Sequence, residues 1–469
     1  MKELAGAAGI AATRTGSWAM SRRDVCILLT NAVLMVALIF VLPFDEKTNR
    51  GLALAVFVAV LWLSEAVHLT ATALMVPVLA VMLGILETPA ALTSFAHPIV
   101  FLFFGGFALA TAMRIQGLDR FLANRLLHLA GGRMGRAALM LFIATALLSM
   151  WVNNTSTTSM MLPLALGILS QLDATRDRKT ITFLLLGIAY SANIGGLGTI
   201  VGSVPNAMVA THLGIDFLTW AKFGVPLVAV LLPLMIATTY VVLRPRLDQT
   251  VDTTAESLAW TGPRIAAVGI FAFTVVSWIF SQQISAWLGG VKQLDTIIAL
   301  LAAILIATTG VASWKEIQAH TDWGVLLLFG GGLTLSVVLR NSGASVVLAQ
   351  GVSSAFATSP TLVILLITAA FIVFLTELTS NTASAAILVP IFAAISLSLG
   401  MPEALLTMVI GIGASCAFML PVATPPNAIV FGTGRVPQSA MVRAGFGINV
   451  VCILVIAAFA WTLWRSPPL

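Results

Sequence analysis

The stretch Ser149 to Pro163, SMWVNNTSTTSMMLP, sets two amides, Asn153 and Asn154, and a run of hydroxyls, Thr155 to Ser159, between two apolar segments. A near-copy, TELTSNTASAAILVP, runs from Thr376 to Pro390. An Asn side chain offers a carbonyl to a cation and an amide to an anion, and Ser and Thr hydroxyls serve either. Two such clusters can hold a small anion together with the cations that offset its charge. The same residue types also act as interhelical hydrogen-bonding groups or as caps, so the elements that carry them decide between the two roles.

Those elements lie in a very apolar chain. Of 469 residues, 59% are hydrophobic and 9% charged, and the mean hydropathy is +1.03. A soluble domain carries about 25% charge, so this chain lacks the polar surface to cover itself in water. Apolar stretches of near-spanning length recur throughout, and the composition implies a polytopic membrane protein. The pI near 9.7 reflects Lys and Arg retained in cytoplasmic loops rather than a nucleic-acid surface. Cys26, Cys416 and Cys452 sit in apolar surroundings with no metal or disulfide spacing, and read as small core residues. No apolar leader with a small-residue cleavage site precedes the first span, Val25–Leu42.

Hydropathy predicts membrane helices over 25–43, 51–65, 70–86, 98–114, 179–196, 222–243, 262–281, 294–311, 323–340, 403–420 and 441–464. Two apolar regions remain, 136–170 and 358–398, and each is interrupted by one Asn/Thr cluster. The first is flanked on both sides by arginines, Arg133 and Arg136 before it and Arg176 and Arg178 after it. Both ends are therefore expected on the cytoplasmic side. Each arm of about 16 residues reaches roughly 24 Å, short of the ~30 Å hydrocarbon core. The region reads as a re-entrant hairpin with Asn153–Thr155 at its tip. With the N-terminus inside, only Lys47, Arg50, Lys222, Lys292, Arg340 and Arg465 fall on the outer face. This bias supports an all-α membrane protein with eleven transmembrane helices, two re-entrant hairpins and an external C-terminus.

The halves echo one another. LFFGGFAL (Leu102–Leu109) matches LFGGGLTL (Leu328–Leu335), NNTSTTSMMLP matches SNTASAAILVP, and GTIVGSVPNAMV (Gly198–Val209) matches LPVATPPNAIV (Leu420–Val430). The topology gives the copies opposite directions, an inverted repeat. Inverted repeats with broken helices at mid-membrane characterise secondary transporters. Each hairpin tip ends one arm in free carbonyls and starts the next with free N–H groups, which attract cations and anions respectively. Each tip is followed by a second break ending in Pro-Asn, at Pro205-Asn206 and Pro426-Asn427.

Other features read as structural. Glu377 beside the second tip is expected to bond backbone. Glu65 is a second intramembrane acid, and His68 falls at a helix start. The glycines at 105–106 and 330–332 suit close helix packing. The loop Asp248–Glu256 is a solvated linker. No Arg or Lys is expected near either tip, so an anion would be held by helix ends, amides and hydroxyls, with bound cations offsetting its charge. There is no nucleotide-binding loop, metal-ligand spacing or catalytic acid/base set, which argues against a pump or an enzyme.

At the two Ser/Asn-Asn-Thr tips and their Pro-Asn breaks, the chain resembles the divalent-anion/sodium symporter (DASS) family, over nearly its whole length. Members take up succinate, malate, fumarate, citrate or sulfate. The resemblance implies a homodimer in the plasma (inner) membrane, working as an elevator. A fixed scaffold (1–135 and 262–357) would carry the dimer contact, and a transport domain (136–243 and 358–465) would slide across the bilayer, with 244–261 a cytoplasmic linker. It implies one sodium site at Ser149, Asn153, Asn154 and the backbone near Gly202. A second sodium site would lie at Thr376, Thr379, Asn381 and the backbone near Ala423. The substrate carboxylates would meet Asn154, Thr155, Asn381 and Thr382, with Thr424 and Pro425 alongside. The first tip departs from the family pattern, which has Ser where this chain has Asn153. A sodium-independent dicarboxylate exchanger, and a sulfate or tricarboxylate carrier, are the alternatives within the family. Outside it stand an arsenite or metal-citrate carrier and a channel.

Overall fold

The computed structural model describes residues 21–464, apart from 129, 174–175, 251–258 and 357–358. The N-terminal residues expected inside, Arg465 expected outside, and the end of the linker at Glu256 lie outside the described residues. Among those described there is no strand. The helices of the first half are α1 (Arg22–Val41), α2 (Glu46–Ser64), α3 (Leu69–Met82), α4 (Thr88–Thr93), α5 (Pro98–Ile115), α6 (Leu118–His128), α7 (Met134–Ser149), α8 (Asn154–Leu169), α9 (Arg178–Gly195), α10 (Val204–Leu213) and α11 (Phe217–Leu243). Those of the second are α12 (Gly262–Ile279), α13 (Ser281–Trp287), α14 (Leu294–Thr308), α15 (Trp314–His320), α16 (Trp323–Ser342), α17 (Ala344–Phe356), α18 (Thr361–Thr376), α19 (Asn381–Ser398), α20 (Glu403–Gly413), α21 (Pro425–Phe431) and α22 (Gln438–Phe459).

Local chemistry sets many of the ends. Asp45 and Asp216 accept backbone N–H bonds from Thr48 (3.0 Å) and Thr219 (2.7 Å) at the starts of α2 and α11. Ser313 and Glu316 form a reciprocal capping box on α15. His68 caps α3 through Thr70 N at 3.3 Å, at the helix start its position predicts. Glu65 is exposed, in the left-handed region at the end of α2. Proline opens both broken-helix continuations, Pro205 in α10 and Pro425–Pro426 in α21, where its missing N–H costs nothing.

The packing is reciprocal. Helix α5 packs on α14 and α16 on α3; α8 packs on α21 and α19 on α10; α9 packs on α21 and α20 on α10. Exchanging the halves maps each pair onto another. The glycine motifs explain the first exchange. A Cβ on Gly105 would lie 2.5 Å from the carbonyl oxygen of Ala299, and one on Gly331 would lie 2.4 Å from that of Ala73. Only glycine permits backbones this close, as the sequence suggested. At the centre, α9 is buried on every side, while α1 is peripheral and held by Asn31 Nδ2 donating to Phe57 O at 2.8 Å.

Several sequence expectations are corrected. The region 403–420 is helical only to Gly413, because the chain then unwinds into the second break. The segments 70–86 and 294–311 hold helices of 14 and 15 residues. Among the described residues, eight helices are long and apolar enough to cross a membrane by length and composition. One of these is α19, the 18-residue return arm of the second interrupted region. The helices α6 and α17, which hydropathy did not anticipate, follow α5 and α16 in the two halves. Cys416 and Cys452 are buried, but Cys26 is exposed on α1.

Candidate substrate and cation site

The interrupted regions are helix–tip–helix units of matching geometry. Helix α7 ends at Ser149, whose hydroxyl donates to Asn154 Oδ1 at 2.7 Å. Helix α18 ends at Thr376, whose hydroxyl donates to Asn381 Oδ1 at 2.6 Å. These are equivalent positions in the two motifs, so each tip is closed by the same hydroxyl-to-amide bond. The breaks match as well. Asn206 Nδ2 donates to the carbonyls of Gly196 and Thr199, both at 2.8 Å. Asn427 Nδ2 donates to the equivalent carbonyls of Ala417 (3.2 Å) and Leu420 (3.0 Å). Each Pro-Asn pair thus holds an unwound loop in shape, satisfying backbone groups that would be costly at membrane depth. Asn206 Oδ1 and Asn427 Oδ1 are buried with no hydrogen-bond partner among the described residues.

The two breaks are tied across the repeats. Asn193 Nδ2 donates to Thr424 Oγ1 at 3.1 Å, and the hydroxyls of Ser203 and Ser415 lie 2.9 Å apart. Asn154 Nδ2 reaches Asn193 Oδ1 at 3.4 Å, so a chain of polar groups runs from the first tip to the second break. Thr424 also caps α21 through Asn427 N, and Pro425 follows it, exposed. Asn193 and Ser415 were not among the sequence candidates. The available signal was a lone amide and a lone hydroxyl inside apolar runs.

Oxygen atoms converge beside the first tip. A Cβ on Gly202 would lie 2.5 Å from Gly196 O and 3.0 Å from Ser149 O. A Cβ on Gly196 would lie 2.5 Å from Asn154 Oδ1 and 3.0 Å from Gly202 O. Glycine at both positions keeps open a cradle of three carbonyls and an amide oxygen, a donor set suited to a hard cation. At the second tip the Thr376 hydroxyl oxygen also lies 2.9 Å from Ala414 O. This gathers hydroxyl, carbonyl and Asn381 amide oxygens, with the buried Ala423 in the adjoining break. The hydroxyls of Thr155 and Thr382 make no hydrogen bond among the described residues; Thr155 is exposed and Thr382 half-buried.

Two candidate cation ligands are turned elsewhere. Asn153 is exposed, and its Oδ1 accepts from Ser156 N at 2.8 Å as the cap of α8. Thr379 donates to Leu375 O at 3.0 Å and lies 2.7 Å from Ser384 Oγ. Neither bonds to the oxygens grouped around Asn154 or Asn381. Asn153 instead lines a small cavity with Ser156, Arg114 and His320. The expectation that no arginine approaches a tip is corrected, because α5 and α15 bring these groups in from distant sequence.

Glu377 is buried and bonds backbone, as expected. Its carboxylate accepts from Phe418 N (2.6 Å), Met419 N (2.9 Å), Leu420 N (3.0 Å) and Asn449 Nδ2 (2.8 Å). It holds three successive amides of the second break and links them to α22.

These features define a polytopic membrane transporter rather than an enzyme. The transmembrane region of sodium:sulfate symporters, as a family pattern, matches residues 24–466, and the chain belongs to this divalent-anion/sodium symporter family of secondary transporters. An uncharacterized transporter of Haemophilus influenzae is 55% identical over 451 residues, covering 95% of this chain and 98% of that protein. The sodium-dependent dicarboxylate transporter SdcS of Staphylococcus saprophyticus is 32% identical, covering 93% and 90%. Two solved structures are similar in fold alone. The Neisseria gonorrhoeae MtrF structure has a TM-score of 0.56 at 13% identity, covering 93% of this chain and 98% of that one. The Alcanivorax borkumensis YdaH transporter has a TM-score of 0.54 at 14% identity, covering 80% and 87%.

Proposed function

We propose that the chain is a sodium-coupled symporter of a small divalent anion, a C4-dicarboxylate such as succinate, malate or fumarate. The observation that carries this reading is the duplicated tip: two equivalent hydroxyl–Asn closures, each beside a cluster of oxygen donors and each followed by an unbonded Thr hydroxyl at a helix start. Sodium ions sit in the oxygen clusters, at Ser149, Asn154 and Gly202 and at Thr376, Asn381 and Ala414. Their charge offsets the two carboxylates, which are held by the amides of Asn154 and Asn381, the hydroxyls of Thr155 and Thr382, and the N-terminal ends of α8 and α19. The name of the 32%-identical relative supports both sodium and dicarboxylate.

In this reading the reciprocal packing of the halves expresses an inverted-topology repeat, which supplies two near-equivalent packings for alternating access. Residues 136–243 and 358–465 move as a transport domain against 1–135 and 262–357, in a homodimer of the inner membrane with the N-terminus inside and the C-terminus outside. Labelled succinate uptake into proteoliposomes tests the proposal. An inward sodium gradient should drive accumulation, with fumarate and malate competing and sulfate and citrate competing weakly. Uptake driven only by internal dicarboxylate would replace symport with exchange. Stronger competition by sulfate or citrate would replace the substrate.

A further inference from the structure

A groove of about 650 Å³ runs along the first half between α7, α9 and α11, and its walls are almost wholly apolar. It extends from Met150 and Val225 at the level of the first tip to Gly135, Tyr240 and Leu247 at the far end of α7. That length of α7 is about 22 Å at 1.5 Å per residue, enough to cross one leaflet of the ~30 Å hydrocarbon core.

The second half is packed differently along the equivalent helices. There α18 packs directly on α22, and the rings of Phe374 and Phe446 lie 6.2 Å apart between them. The equivalent residues of the first half are Leu147 and Val225, and both line the groove. Smaller side chains thus leave open in one repeat the space that aromatic rings fill in the other.

The mouth is basic. The segment after α11 is stitched across the ends of α7 and α9, by Met134 N to Gln249 O (2.9 Å) and Thr180 Oγ1 to Arg246 O (3.0 Å). This brings together the chain ends that carry Arg133, Arg136, Arg178, Arg244 and Arg246, all exposed. None of the five forms an ion pair among the described residues.

We propose that the groove binds one acyl chain of an anionic phospholipid, with the headgroup phosphate on this arginine rim. The lipid replaces the missing aromatic pair and completes the packing of the first repeat. Its chain end rests against Met150, whose carbonyl accepts a hydrogen bond from the Thr199 hydroxyl in the first break. Lipid occupancy therefore bears on the loop that shapes the candidate site.

Native mass spectrometry of the purified full-length protein with added phosphatidylglycerol or phosphatidylcholine tests this. Wild type should retain one phosphatidylglycerol in preference to phosphatidylcholine. The double variant Leu147→Phe/Val225→Phe, which copies the second repeat, should lose that molecule. The triple variant Arg133→Gln/Arg136→Gln/Arg244→Gln should lose the headgroup preference, on the order of fivefold in affinity per arginine. A phosphatidylglycerol carrying a photoreactive group at its acyl end should crosslink wild type at the tip end of the groove, within 143–150 and 225–232, which gives a result even if the variants do not fold. Equal retention of both lipids, undiminished retention in the Phe/Phe variant, or crosslinks only elsewhere would overturn the proposal.

Discussion

The two hairpin tips share a chain path and a closing bond, yet they are anchored in different ways. In the first, Trp151 stacks with Phe217 and Trp278, at 5.8 and 6.4 Å, and meets Phe271 edge-on at 5.1 Å. Its equivalent in the second tip, Leu378, is 73% exposed. Conversely, the second tip carries Glu377, bonded to its own break and to α22, where the first has Met150. One tip is fixed from outside by aromatic packing on α11 and α12, and the other from within by a buried carboxylate. Both tips keep the polar closure and differ in the support, as the proposed ligand role of the closure requires.

The largest expected effect comes from removing the internal support. Glu377→Ala leaves three backbone amides and the Asn449 amide without their acceptor, and each buried unpaired group costs about 1–3 kcal/mol. Destabilisation of at least about 3 kcal/mol is expected, read as a large drop in the thermal midpoint of the purified protein. A midpoint near wild type would mean that the second break does not depend on this carboxylate.

Next come the closures themselves. Asn381→Ala removes a candidate amide donor to the anion and an oxygen from the cation cluster. Loss of one charge-assisted hydrogen bond, about 1.5–3 kcal/mol, weakens affinity roughly 10- to 150-fold. Asn154→Ala should act similarly if the tips share one ligand. Wild-type transport kinetics in both variants would reduce the closures to helix–helix contacts.

A smaller contrast isolates the external support. Trp151→Ala should cost about 2 kcal/mol, below the 3–5 kcal/mol of a fully buried aromatic because Trp151 is half-buried. Leu378→Ala should stay within about 0.5 kcal/mol. Equal effects on the thermal midpoint would remove the distinction between the tips. The smallest change is expected for Asn153→Ser. Both residues cap helices well and differ by only a few tenths of a kcal/mol, and the amide oxygen is already used by Ser156 N. The sodium half-saturation should move less than about twofold, and a larger shift would mean that Asn153 does reach the cation.

The sequence made the tips legible because polar triplets stand out in apolar runs and recur with the same Pro-Asn sequel. It also located the glycine contacts and Glu377 as a backbone-bonding acid. Residue type did not reveal which way a side chain turns: Asn153 reads equally as a cation ligand and as a cap, and Thr379 likewise. The Asn193–Thr424 and Ser203–Ser415 bonds were not legible, because their partners lie in opposite halves and only the fold brings them together. Arg114 and His320 reach the first tip for the same reason. The ends of α14 and α20 were placed too late because hydropathy continues past the point where the hydrogen-bond ladder stops, and the amphipathic α6 escaped because it is not apolar.

In the proposed transport cycle, cation and anion occupy one coupled site built from both tips. Linkage makes this directly measurable: if sodium tightens succinate binding by some factor, succinate must tighten sodium binding by the same factor. The measurement is thermal stabilisation of the purified protein by succinate at several sodium concentrations, and by sodium at several succinate concentrations. The account predicts reciprocal shifts of equal size in wild type, reduced in both directions by Asn381→Ala. Succinate stabilisation that is the same with and without sodium would contradict it.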